Sequence, residues 1–528
     1  MSGHLLPRHD SPARRLSVED RQEAYDVYEV ESQWREKPLL ERVLQRIYSV
    51  RYLFSSGGDY HGKYRPLIPT LAQPRRFRRI FFRLPYYVLI VLSAILVLAV
   101  FTATFFPSYT RPPPHYSSLR DLASASDQAG RGNPRNERVF IAASLYDTTG
   151  ELVWGHWGSS ILQLIDLLGE DNTFLSIYEN DSGSGGKQSL ADLKRHVPCN
   201  NSIIYEHLGL EDLPKIIIPG GEERVKRISY LAETRNRALQ PLDDPTTQAP
   251  FDKILFLNDI AFDPVEALQL LFSTNVNDDG IAQYRAACAV DFINPFKFYD
   301  TYATRDLEGY SMGLPFFPWF STSGSAQSRN DVLSGKDAVP VRSCWGGMVA
   351  FDAQFFQHDA GKPAAEAAGE NLPARFRASQ DVNLFWDASE CCLIHADIQV
   401  PREHTGEFGD NEVAETGIYM NPFVRVAYDT RTLSWLWTTR RFEKLYSIIH
   451  NIGNHLVGLP WFNPRREEVP GQRVQDMGFI NDEGGAGFFR SVERTTRHDG
   501  FCGRLGLQVV VPHREEGKGF ETIPMPNS

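Results

Sequence analysis

The chain has 528 residues, 42% hydrophobic and 12% aromatic, enough for a large core and for more than one folded unit. Its formal net charge of -11 excludes general nucleic-acid binding, which needs a basic footprint. No GxGxxG or Walker pattern occurs, which disfavours dinucleotide enzymes and P-loop ATPases.

Residues 1–85 are polar and mixed in charge and read as a largely disordered tail, with a short amphipathic helix expected over Arg35 to Arg51. Residues 86–106, YYVLIVLSAILVLAVFTATFF, carry no charge and are long enough for a bilayer core of about 30 Å. Arg75, Arg76, Arg78, Arg79 and Arg83 precede this run, so the positive-inside rule puts the N-terminus in the cytosol and the chain beyond residue 106 in the lumen. This is type II topology with a signal anchor. All six cysteines lie after the span, as do the sequons Asn180-Asp181-Ser182 and Asn200-Asn201-Ser202. Cysteine spacing does not give the pairing. Residues 107–136 are rich in Pro, Ser and small polar residues and read as a stem that holds the next domain off the membrane.

A folded domain over 137–460 begins with Val139–Leu145, an apolar run of buried parallel-strand type. A helix is expected from Trp154 to Leu168, a strand over Thr173–Tyr178, a helix over Lys187–His196 and a strand over Ser202–Tyr205. Residues 222–240 then follow a helical period. At about 100° per residue Val225, Ile228, Leu231, Ala232 and Leu239 share one arc, with Arg235 in its middle. The buried strand Ile254–Leu257 ends in Asn258-Asp259, where open α/β sheets bind ligands. Arg235 and Asp259 at one sheet edge suit a metal-complexed diphosphate, or pair with each other. Strand–helix alternation implies a mostly parallel α/β sheet.

Further on, Pro264–Phe272 suits a helix, Ala286–Phe292 a strand with Asp291 near its end, and 293–340 a long excursion. In that excursion Asp300, Arg305 and Asp306 read first as a solvated loop. VRSCWGGMVAF (341–351) has paired glycines where backbones approach. Glu390–Val400 reads as an apolar strand carrying polar residues, and Asn421–Tyr428 as another. Residues 461–528 read as a mostly irregular extension with a last strand at Leu507–Val511.

An anchor, a stem and an α/β domain together suggest a Golgi glycosyltransferase. RISYLAETRNRALQPL, FDKILFLNDIAF, YRAACAVDF, FYDTYATRD, VRSCWGGMVAF, FRASQDVNLFWDASECCLIHAD and NPFVRVAY resemble the fungal capsule-associated α-1,3-mannosyltransferases over roughly residues 137–440. The resemblance implies a GT-A-like fold, and retaining transfer of mannose from GDP-mannose to a mannoside acceptor. It also implies a divalent cation, Mn²⁺, on the diphosphate. A Golgi glycosyltransferase complex is a further expected partner.

Asp259 is the expected metal carboxylate, with Asn258 orienting it or binding by its carbonyl. The usual Asp-x-Asp is absent, since position 257 is Leu. His395 is the expected second ligand, with Asp397 beside it; a core histidine is the rival reading. Arg235 is expected on the donor phosphates. Ser144 and Tyr146 are candidate nucleotide contacts by position, with ordinary strand-end polarity the rival reading, and Trp345, Gly346 and Gly347 resemble the sugar-binding segment of this fold, with Trp345 as plain core the rival. Asp291, Asp387 and Glu390 are the candidate catalytic carboxylates. A carboxylate nucleophile and acceptor deprotonation by the leaving phosphate both stay open. So do two rival functions: a non-catalytic glycan-binding or assembly subunit of a polysaccharide complex, and the same fold with another nucleotide sugar.

Overall fold

The computed structural model describes residues 74–244, 247, 250–357, 372–399, 415–480, 487–511 and 519–526. The helix expected at Arg35–Arg51 lies outside them. The chain enters through α1 (Pro74–Phe105), whose Pro85–Phe105 part is apolar, exposed and long enough to cross a membrane.

A ten-stranded sheet organises the domain beyond α1. Its main strands are β1 (Val139–Leu145), β2 (Thr173–Asn180), β3 (Asn200–Glu206), β4 (Lys253–Leu257), β5 (Ala286–Asn294), β6 (Val339–Ser343), β7 (Met348–Asp352) and β8 (Ile418–Ala427). The spatial order is β3-β2-β1-β4-β7-β5-β8-β6, closed by Arg305–Asp306 at one edge, with Lys297–Phe298 pairing β5. β3, β2, β1 and β4 run parallel, as do β5 and β8. β7 runs antiparallel between β4 and β5. β4, β5 and β8 therefore all point their C-terminal ends to one edge.

The central strands are continuous apolar runs because both faces are covered. Ile141, Ala143, Leu255 and Leu257 face α3 (His156–Leu168) and α6 (Pro264–Ser273). Phe140, Ile254 and Phe256 face α5 (Arg227–Leu239) and α7 (Glu390–Ile398). α4 (Gly183–His196) packs on β3.

Four expectations are corrected. Glu390–Val400 is not a strand: Ser389 accepts the Cys391 N–H as an N-cap and starts helix α7. Residues 107–136 are not a detached stem. Helix α2 (Pro114–Ser124) buries Tyr116, Leu119 and Ala123, and the Tyr116 hydroxyl accepts from Asn421 at 2.7 Å. The 300–306 stretch is not solvated, since Arg305 and Asp306 are buried. The described residues of 461–528 hold more than the one strand expected at Leu507–Val511. Arg473–Ile480 pairs with Phe488–Thr495, Gly503–Leu505 with Trp386–Ala388, and Gln508–Val510 with Phe520–Thr522. A Cys392–Cys502 disulfide ties this region to α7, and a Cys288–Cys344 disulfide joins β5 to the turn before β7.

Beyond these elements, α8 (Thr430–Thr439) and α9 (Lys444–Val457) follow β8.

Candidate active site

The C-terminal edge of β4, β5 and β8 gathers an acidic cluster. Asp291 is fully buried near the end of β5. Its Oδ1 accepts the backbone N–H of Asp300 at 3.2 Å, and its Oδ2 accepts the Tyr428 hydroxyl at 3.3 Å. Asp300 is held in turn by the N–H groups of Ala303 at 3.1 Å and Gly346 at 3.4 Å. Burial, and then the charge of Asp300, raise the Asp291 carboxyl far above the ordinary carboxylate range. Burial also raises Asp300, with Glu390 adding to it and the two N–H groups opposing it.

Asp259 approaches the cluster from the next loop. The chain after β4 crosses to β8, where Ala261 and Ala427 exchange both backbone hydrogen bonds. Tyr428, one residue further, titrates well above its ordinary range because of burial and then the charges of Asp291, Tyr299 and Asp259. Asp291 bonds this hydroxyl directly, and the charges of Asp259 and Asp300 also reach it.

Asn258 is fixed on three sides. Its N–H donates to the Gly347 carbonyl at 2.9 Å, its carbonyl accepts Trp157 Nε1 at 2.9 Å, and its side-chain oxygen accepts Trp345 Nε1 at 3.2 Å. Trp345 is buried against Phe256 and Phe376, and the Arg235 guanidinium lies 5.1 Å above its ring. Arg235 is ion-paired with Glu390, at the first turn of α7. The predicted arc on α5 therefore does place Arg235 largely inside, and Glu390 supplies a carboxylate to it. Arg235 and Trp345 cover each other, so neither reaches out as an open phosphate or pyranose platform.

Gly346 and Gly347 adopt φ of +58° and +64°. A Cβ on Gly346 would lie 1.9 Å from the Ala289 carbonyl oxygen, and one on Gly347 2.8 Å from Ile260. The close approach predicted for this pair is to the sheet itself. Asp387 is buried on Trp386–Ala388, 3.9 Å from Lys226 Nζ, and raised by burial. It acts on Tyr302, over whose ring Arg504 sits at 4.0 Å. Ser144 lies at the end of β1 and Tyr146 just past it, where Ala143 is in register with Leu257, so they lie on the same edge.

His395 is not brought there. It is fully buried under Phe351, its Nδ1 bonds the Cys391 carbonyl at 2.7 Å, and Nε2 is 3.8 Å from Cys288 Sγ. Cys288 lies three residues before Asp291, about 10 Å at strand spacing. The Cys288, Cys344 and His395 side chains converge, but the sulfurs are joined to each other and offer no thiolate. Asp397 is likewise elsewhere, bound to Arg377 at 2.7 Å and His498 at 3.0 Å.

Sequence reasoning missed Tyr428, Tyr302, Lys226 and Arg504, and placed Asp300 in solvent. Tyr428 had a usable signal: it directly follows the end of a buried strand, as Asp259 follows another two residues on.

An α/β sheet with paired buried carboxylates at its C-terminal edge has the layout of a ligand-binding α/β enzyme. Residues 138–397, close to half of the chain, match the family described as cryptococcal mannosyltransferase 1. No curated protein matches the chain. A solved structure, "Mannosyltransferase PcManGT from Pyrobaculum calidifontis in complex with GDP-Man and Mn2+", aligns at 12% identity and TM-score 0.30 over 67% of this chain and 74% of that one.

Proposed function

We propose that the protein is a retaining α-1,3-mannosyltransferase with a GT-A-like domain. It takes mannose from GDP-mannose to a mannoside and is held as a type II Golgi membrane protein by residues 86–106. The observation that carries this reading is the contact of buried Asp291 with Asp300 at the C-terminal sheet edge, with the charge of Asp259 reaching the same Tyr428 hydroxyl, within a segment that matches a mannosyltransferase family. A divalent cation fits that edge. The donors are hard carboxylate oxygens, which suit Mn²⁺, and the raised proton affinity of Asp291 and Asp300 marks a place that wants positive charge. Asp259 and Asp300 would hold the ion, which would neutralise charge developing on the leaving diphosphate.

The chain's own residues do the rest. Asp291, fixed by Tyr428 and the Asp300 N–H, faces the donor edge. Trp345 sets the Asn258 amide beside Asp259. Glu390 and Asp387 border the same cluster through Asp300 and Tyr302 and stand as acceptor-side carboxylates. Arg235 positions rather than binds, since its charge is matched by Glu390.

The test is transfer by the full chain in detergent, with GDP-mannose and a panel of UDP-sugars, Mn²⁺ and α-mannosides. Mannosyl transfer from GDP-mannose alone, abolished in Asp259→Ala at unchanged melting temperature, is the expected result. Retained mannan binding with no transfer from any donor refutes the catalytic reading.

A further inference from the structure

Helix α9 carries its polarity inverted. Its buried side holds His450 and Asn454, bonded to each other, to Arg329 and to the Leu314 backbone. Its outer side shows Ile448, Ile449, Ile452 and Leu456, which share an arc of about 100° on a helical wheel. They are 63%, 58%, 61% and 46% exposed. A helix docked on a water-surrounded domain turns its apolar stripe inward, so this outward stripe needs an apolar neighbour. Just before it, α8 exposes Trp435 and Trp437, with Arg441 5.4 Å over the Trp437 ring.

The position of α1 identifies the neighbour. α9 lies against α1. Thr102, near the end of α1, is buried, and soon after it the Ser108 N–H donates to the Arg440 carbonyl at 2.9 Å. Tyr109 then packs edge-on to Phe423 at 4.8 Å. The chain passes from the apolar helix straight into the α8–α9 junction, with no free stem between them.

We propose that α8 and α9 form a membrane-interface platform. The α9 stripe lies at the acyl-chain boundary of the leaflet from which α1 emerges, and Trp435 and Trp437 sit at headgroup level. The inference rests on the reading of α1 as a membrane anchor. Its consequence is positional. α8, ten residues long, runs from just after Tyr428 in the acidic cluster to just before Arg440 at the α1 exit, about 15 Å at 1.5 Å per residue. The reaction edge is thereby held at a short, set height above the bilayer.

The full chain is reconstituted in phosphatidylcholine vesicles with a nitroxide at Ile452→Cys, at Leu96→Cys in α1, or at Met477→Cys on the C-terminal hairpin. Collision with oxygen and with an aqueous nickel chelate is read for each. The Ile452 and Leu96 labels should favour oxygen and the Met477 label nickel. A lipid-exposed Leu96 label with a water-exposed Ile452 label overturns the platform and leaves the anchor standing. Both in water overturns the anchor as well. An Ile452 label shielded from both reagents and broadened by a second spin shows that another copy covers the face, and also overturns the proposal. A second measurement avoids a new cysteine. Brominated phosphatidylcholine should quench the protein's fluorescence, with most of that quenching lost in Trp435→Phe/Trp437→Phe; unchanged quenching refutes the platform.

Discussion

The guanidinium of Arg235 lies between the carboxylate of Glu390, 155 residues away in sequence, and the ring of Trp345, 5.1 Å below it. Both charges are nearly buried, with side-chain exposures of 12% and 3%. Removing one member of such a pair leaves an uncompensated charge and costs on the order of 3–5 kcal/mol. Arg235→Leu should therefore lower thermal stability strongly, while Arg235→Leu/Glu390→Leu recovers much of the loss. Thermal unfolding of the two variants decides it. A double variant no more stable than the single one would show that the charges do not compensate each other.

Trp345→Phe keeps the ring under Arg235 and removes only the N–H that holds Asn258. Loss of one hydrogen bond costs about 1 kcal/mol of stability, so the melting temperature should move little. Loss of an outer-shell orienting group costs about 10–100-fold in activity or metal affinity. Mannosyl-transfer kinetics with Mn²⁺ titration should show a drop in that range, and Asn258→Ala combined with Trp345→Phe should add little to either alone.

The sheet was legible in the sequence because its strands are short apolar runs buried on both faces, and Asp259 was legible because it lies just past the end of one. The partners were not. Glu390 meets Arg235 only because Ser389 caps a helix in a segment whose apolar run reads equally as strand. Asp300 reaches Asp291 by a turn that no periodicity marks. His395 shows the converse error. A polar residue in an apolar stretch reads as a ligand, yet the fold bonds it to the carbonyl one turn back and sets it against a disulfide. The stem and C-terminal extension misled by composition, since Pro, Gly and Ser are frequent there. The large side chains of Tyr116 and Phe501, and the Cys392–Cys502 bridge, nonetheless anchor both regions to the domain.

The Cys392–Cys502 bridge closes a loop with a sequence separation of 110 and carries the C-terminal strands to α7. On the chain-entropy estimate a loop of that size contributes about 4–5 kcal/mol. Arg305 adds two bonds to the Phe501 and Cys502 carbonyls at 3.1 and 2.9 Å. Cys502→Ala should lower the melting temperature and expose the 473–505 region to trypsin, and limited proteolysis reads it directly. A digestion pattern matching that of the wild type would mean that Arg305 and strand pairing suffice.

Only one of the two sequons can carry a glycan in the fold. Asn180 is buried, donates to the Tyr230 hydroxyl and accepts the Leu208 N–H at 2.8 Å. Asn200 is exposed at the start of edge strand β3. On the proposed lumenal side, one endoglycosidase-sensitive glycan is expected, lost in Asn200→Gln. Glycopeptide mass spectrometry checks this, and a glycan on Asn180 would contradict the packing around it.

His395 sets a pH dependence with a definite sign. Burial lowers its pKa from 6.5 to about 4, against a raising contact from the Cys391 carbonyl. The unfolded chain thus binds a proton between pH 6.5 and 4 that the folded chain refuses. The stability from neutral His395 is fully present above pH 6.5 and is lost as pH falls toward 4. The slope is about 1.4 kcal/mol per pH unit, roughly 3 kcal/mol over the window. His450, also lowered to about 4, acts in the same direction. Asp306, raised by burial to about 7, acts in the opposite one, because its folded carboxyl holds a proton that the unfolded chain has released. The absolute curve therefore mixes signs, and the difference between wild type and His395→Leu isolates the histidine. Melting temperatures taken from pH 7 to pH 4 should fall less steeply in His395→Leu than in wild type, and the two curves should run parallel above pH 7. Parallel curves throughout would mean that the imidazole is already accessible to protons in the folded chain, which the packing of Phe351 and the Cys288–Cys344 bridge around it excludes.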